Sequence, residues 1–79
     1  MCLGVPGKII KVDDEYNAIA DVSGVTRQVN ISYLSDEDKS RLMGCWVLIH
    51  VGFAMSIINE QDAIASLKLL SELGEFAKE

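Results

Sequence analysis

Apolar positions recur at strand-like intervals as far as Ile58, and at helical intervals beyond it. Residues 8–12 form a short β-branched run that ends in the polar turn Asp13-Asp14-Glu15-Tyr16-Asn17. Residues 18–22 predict a second strand, and Ser23-Gly24 predicts a two-residue hairpin in which Gly supplies a positive φ. Residues 25–31 continue with period two: Val25, Val29 and Ile31 share one face, Thr26, Gln28 and Asn30 the other. Arg27 interrupts the apolar face, which suits a place near a sheet edge. Ser35-Asp36-Glu37-Asp38 fits a capping box, with Ser35 as N-cap and Asp38 a weaker substitute for Glu at N3. One or two helical turns are expected there, ended by Gly44.

Residues 46–51 read as the strongest strand. Alternation puts His50 on one face with Trp46 and Leu48, and Val47, Ile49 and Val51 on the other. Gly52-Phe53 interrupts this strand before residues 54–58 resume it. A glycine at such a place predicts a bulge within a bent barrel strand; the other reading presents Phe53 to a partner. Asn59 then caps a helix running to about residue 77, in which Ala63, Ile64, Leu67, Leu70, Leu73 and Ala77 form one stripe. Lys68, Glu72 and Glu75 lie opposite and are expected in solvent. Leu69 and Phe76 fall between these faces and widen the apolar surface toward a partner, or toward weak self-association.

About five short strands followed by one amphipathic helix predict an all-β fold. Its nearest common form is a small antiparallel OB-like Greek-key barrel with a C-terminal α-helix. The 79 residues make a single domain, with the barrel and an N-terminal cysteine arm in 1–58 and the helix in 59–79. A core of this size is marginal and gains from a metal or a partner surface. Seven basic residues against twelve acidic, for a net charge of −5, argue against nucleic acid, which is gripped through its phosphates. The longest apolar stretch, residues 45–49, is far too short for a membrane span, and no basic start leads into an apolar run. The expectation is a cytoplasmic protein with no membrane association.

Two cysteines and one histidine cannot fill a closed four-ligand structural zinc site. A Cys2–Cys45 disulfide would be kept reduced in the cytosol. Any metal is therefore held by an incomplete ligand set that something else completes. Cys2 is the strongest candidate, because it follows the initiator Met. Once Met1 is removed, its thiol and its own α-amino group lie two carbons apart. The ammonium favours the thiolate, which is both nucleophile and metal ligand. The plain alternative is a small apolar residue near a chain terminus. Pro6 biases Val5 toward extended backbone, so an extended 2–5 arm would carry the thiol toward a partner; a simple turn before the first strand is the other reading. On spacing alone, His50 is more simply a hydrogen-bonded structural histidine than a ligand.

The run Cys2-Leu3-Gly4-Val5-Pro6-Gly7-Lys8-Ile9 resembles the opening of the HypC/HupF family of hydrogenase maturation chaperones, place by place. Gly44-Cys45-Trp46-Val47-Leu48-Ile49-His50-Val51-Gly52-Phe53-Ala54 resembles the family's second block. It departs only at Cys45, where a polar residue is frequent. Between them, Ala20, Val22, Gly24, Val25, Arg27 and Val29 fit the family's middle stretch. The resemblance implies a non-enzymatic chaperone for assembly of the nickel–iron active site. It implies an iron bearing cyanide and carbon monoxide, carried transiently on Cys2 with His50 in support, and no nucleotide. It also implies two partners, a HypD-like iron–sulfur maturation protein and the hydrogenase large-subunit precursor. Cys2, Leu3, Gly4, Val5, Pro6, Gly52 and Phe53 are the expected contact residues, with Leu69 and Phe76 added from the helix.

Three other functions compete with this reading. An enzyme with an N-terminal cysteine nucleophile would need a base, an oxyanion hole and a cleft, for which the chain offers little room. A nucleic-acid-binding barrel lacks a basic groove and a series of stacking aromatics. A protein–protein adaptor would use the same Cys2 arm purely as a contact, without metal.

Overall fold

The structure, a computed structural model, describes residues 4–72. Among these residues the order is β1 (Val5–Val12), β2 (Asn17–Val22), β3 (Val25–Asn30), α1 (Asp36–Ser40), β4 (Trp46–His50), β5 (Phe53–Ile58) and α2 (Glu60–Glu72). The strands close into a barrel in the order β1-β2-β3-β5-β4, with β4 returning to β1. All pairings are antiparallel except β3 with β5, which are parallel and meet at the single pair Asn30↔Phe53. This is the OB-like Greek-key barrel that the alternation predicts.

The interior follows from period two. Ile9, Ala18, Ala20, Val29, Val47 and Ala54 point inward from five strands, and Ile31, Leu34 and Leu42 plug one end from the β3–β4 connection. The alanines are what a narrow barrel requires, since facing walls leave room for large side chains only at alternate places. Fully burying Ile9 or Ile31 is worth about 1.5–3 kcal/mol each. No polar or charged residue is buried among the described residues. Polar chemistry there belongs to the outer surface. Among the described residues no helix is long and apolar enough to cross a membrane.

Helix starts follow their caps. Ser35 Oγ accepts the Asp38 amide at 3.1 Å, and Asn59 Oδ1 accepts the Asp62 amide at 2.7 Å. The first helix stops at Ser40, well before Gly44, because its own residues bury nothing; the flanking Leu34 and Leu42 anchor it instead.

Beyond the early end of α1, the structure departs from the sequence expectations at five places. β1 begins at Val5 rather than Lys8, because Val5, Pro6 and Gly7 pair with Ile49, Leu48 and Val47. Residues 46–58 are not one bent strand with a bulge at Gly52. Val51 (φ +54°) and Gly52 (φ +83°) form a two-residue hairpin turn between β4 and β5. Positive φ at both central residues matches the right-handed twist of the flanking strands. Val51 is thereby 85% exposed rather than inward. The bulge lies further on, where Leu48 pairs with Ser56 and Ile49 with Ala54, leaving Met55 as the extra residue. Val25, expected to share the buried face of Val29, is 49% exposed, because β3 pairs only with β2 until Asn30.

The C-terminal helix supplies the fifth departure. It packs against β1 and β4. Ala63 is buried and Leu67 and Leu70 half-buried, whereas Ile64 is 53% exposed. A helix lying on two strands buries a narrow stripe, and Ile64, 100° round from Ala63, sits at its flank. Lys68 and Glu72 are exposed as expected. Leu73, Glu75, Phe76 and Ala77 lie outside the described residues.

Candidate functional site

The β1–β4 ladder decides what surrounds the N-terminal segment. Its register runs Lys8↔Trp46, Gly7↔Val47, Pro6↔Leu48 and Val5↔Ile49. The strands are antiparallel, so the next residue toward the N-terminus, Gly4, and the next along β4, His50, lie at the same end of the barrel. Cys2 is two residues beyond Gly4. Cys2 and Leu3 themselves lie outside the described residues.

Gly4 is buried, with φ +115°, and an added Cβ would stand 2.9 Å from Leu48 Cγ. Only glycine combines that backbone conformation with that approach. Of the extended arm expected over residues 2–5, the described part is therefore built into the barrel: Val5 is in β1 and Gly4 bends the chain. Gly7 faces inward, where a Cβ would meet Ile49 Cδ1 at 2.7 Å. Alternation then turns Pro6 outward, yet it is fully buried. The helix packed on β1 and β4 is the element placed to cover it. Gly4 and Pro6 thus shape the base of the N-terminal segment rather than offering contact surface.

His50 ends β4, faces outward and is exposed. It stands opposite Phe53 across the hairpin. The Phe53 ring packs on Tyr33 at 5.4 Å between centroids, tilted by 56°. The turn between them is pinned to the barrel where the Asn30 amide donates to Gly52 carbonyl oxygen at 2.9 Å. His50 and Phe53 thus pair next to the exposed Val51, and Tyr33 extends the apolar surface from Phe53. Tyr33, 65% exposed, had no sequence signal beyond being an aromatic shortly after a strand.

Leu69 is 57% exposed on α2, and Phe76 lies outside the described residues. The Cys45 thiol is unbridged and donates to the Arg41 carbonyl at 3.0 Å. Five residues of extended chain separate it from His50, about 17 Å at strand rise. The two cannot serve one site. Among the described residues no three His, Cys, Asp or Glu side chains converge as metal ligands. A metal at the His50 end would need donors from the N-terminal segment or from another molecule.

Residues 1–70 match the HupF/HypC family. The chain is 49% identical to hydrogenase maturation factor HypC of Rhodobacter capsulatus over 77 residues, which is 95% of this chain and 80% of the relative. It is 44% identical to hydrogenase maturation factor HybG of Escherichia coli strain K12 over 75 residues, 92% of each chain. It is also 48% identical to the Frd operon uncharacterized protein C of Proteus vulgaris, over 95% of this chain and 80% of the relative. With residues 5–8 of the first block paired along β4 to residues 46–49 of the second, the chain belongs to the HupF/HypC family.

Proposed function

We propose that this chain is a hydrogenase maturation chaperone that carries an iron bearing cyanide and carbon monoxide to the hydrogenase large-subunit precursor. Cys2 holds the iron and His50 supports it. A HypD-like iron–sulfur protein is the partner on which the group is assembled. The observation that carries this reading is the β1–β4 register, which brings the base of the Cys2 segment beside the exposed His50. Cys2 is two residues from Gly4, which keeps its Cα within about 7 Å of that end of the ladder. Relatives named as hydrogenase maturation factors support the cargo's destination.

The chemistry suits transfer. Thiolate and imidazole are good ligands for iron, and two ligands leave positions open for diatomics, the scaffold and the recipient. A closed four-ligand site would retain the metal. The apolar surface of Val51, Phe53 and Tyr33 excludes water around such a contact and supplies area to a partner.

The test is anaerobic co-purification of this chain with a HypD-like protein, measuring bound protein and bound iron together. Iron in the complex that falls away with Cys2→Ala is the expected result. An intact complex equally rich in iron with Cys2→Ala would overturn the carrier reading. A complex that never contains iron but still needs Cys2 would make the chain an adaptor.

A further inference from the structure

The barrel closes through one residue pair, and this leaves β3 with an open edge. In the β2–β3 hairpin, Val22 and Val25 flank the two-residue turn, and the register continues through Ala20↔Arg27 and Ala18↔Val29. These residues exchange hydrogen bonds with β2, so the alternate ones point their amides and carbonyls away from it. Asn30 shows the direction: its amide donates outward, to Gly52. Gln28 and Thr26, two and four residues earlier, aim their N–H and C=O the same way. Nothing among the described residues pairs with them there, since β5 reaches β3 only at Asn30. Residues 25–28 are all exposed. Two successive outward-facing residues are a template for an added strand.

Side chains on this edge select the occupant. Val25 and Arg27 share a face; Val25 is half exposed, and the ion pairs among the described residues are Lys11–Asp13 and Arg41–Asp38, neither using Arg27. A second copy is a poor occupant. The two-fold antiparallel register that uses both Thr26 and Gln28 sets Arg27 directly opposite its own copy, and like charges in that position repel. Centring the pairing on Gln28 would require Asn30, which β5 already occupies, and centring it on Thr26 would set Gln28 against Gly24, whose amide already donates to Asp21 Oδ1 in the hairpin turn.

We propose that the edge of β3 over residues 25–28 is a strand-addition site for an extended segment of a partner protein. That segment runs antiparallel to β3 and presents a carboxylate opposite Arg27 and, two residues later, an aliphatic side chain opposite Val25. Backbone bonds to Thr26 and Gln28 provide the hold, and the Arg27 pair sets the register.

The probe is the blocked peptide Thr-Glu-Thr-Val-Thr, titrated to millimolar concentration against the labelled full chain, with amide shifts and hydrogen exchange followed residue by residue. Exchange at Thr26 and Gln28 should slow at least fivefold. Replacing the peptide's Glu by Lys should weaken binding at least tenfold, and Arg27→Glu in the protein should reverse that preference. N-methylation of the two peptide amides facing Thr26 and Gln28 should abolish the protection. Unchanged exchange at both amides, or protection indifferent to the charge swaps, would overturn the proposal. So would protection that grows with protein concentration without peptide, which would put a second copy on the edge.

Discussion

A valine at φ +54° beside the only histidine is an expensive choice of turn residue. β-Branched side chains rarely adopt the left-handed region, and the penalty for an ordinary residue there is about 1–2 kcal/mol. Asparagine, which tolerates this region, is the usual companion of glycine in such turns. Val51→Asn should therefore stabilise the chain by about 1 kcal/mol, read as a rise in the urea midpoint. No gain would mean that the exposed valine is held by contacts that compensate its strain. His50 makes the opposite case. Being exposed, it contributes little packing, so His50→Ala should change stability by no more than about 0.5 kcal/mol. Iron in the anaerobic complex should fall instead. A loss of about 3 kcal/mol with iron unchanged would assign it a structural role. The sequence marks His50 through its position in a recognisable block. Its exposure needs the hairpin, because the residue count alone suits a buried strand equally well.

At the scale of elements, the β1–β2 turn and α2 respond to different perturbations. Asp14 accepts the amides of Tyr16 and Asn17, each at 2.8 Å. The Tyr16 amide is the first cause that holds its carboxyl below the usual aspartate range, with Asn17 assisting. A depressed folded value means the stabilisation is complete above the unfolded value of about 3.9, and is lost as pH falls through the lower folded value. Acid should thus loosen this turn. Asp14→Ala should lower the melting temperature at neutral pH and flatten its decline as pH falls below about 4. A wild-type decline unchanged by the substitution would show that other carboxylates set the acid limit. Ile64 and Leu69, each more than half exposed on α2, test the width of the packed stripe. Replacing both with Gln should leave circular dichroism unchanged and stability within about 0.5 kcal/mol, while weakening any partner that uses this surface. Unfolding of the double variant would show that both belong to the barrel contact. Periodicity identified the helix as far as Glu72, where the described residues end, and its cap. It could not tell Ile64 from Leu67, because helical spacing says which residues are neighbours and not how wide the covering surface is.

For the whole molecule, the separation of core from chemistry predicts how variants sort. The described interior is apolar and depends on small side chains at crossing points, such as Ala18, Ala20 and Ala54. The candidate iron-holding end lies outside that core. Cys2 precedes β1, which begins at Val5. Cys2→Ala should accordingly leave the cooperative unfolding transition in place, shifted by less than about 0.5 kcal/mol, and abolish hydrogenase maturation. Normal maturation by a stably folded Cys2→Ala chain would remove the carrier and the adaptor readings together.

Alternation and turn chemistry were enough to locate the strands, the Ser23-Gly24 hairpin, both helix caps and the barrel class. These are local properties of a backbone whose side chains alternate or recur every 3.6 residues. The run from Cys2 to Ile9 and the block ending in Gly52-Phe53-Ala54 were equally legible, because they are contiguous. Tertiary structure alone decided that Gly52 turns a hairpin rather than bulging a strand, and that Tyr33 joins Phe53 beside His50. It also decided that Val25 and Arg27 stay outside a barrel closed only at Asn30. A sequence pattern states which side of an element a residue occupies, whereas burial depends on whether another part of the chain arrives to cover that side.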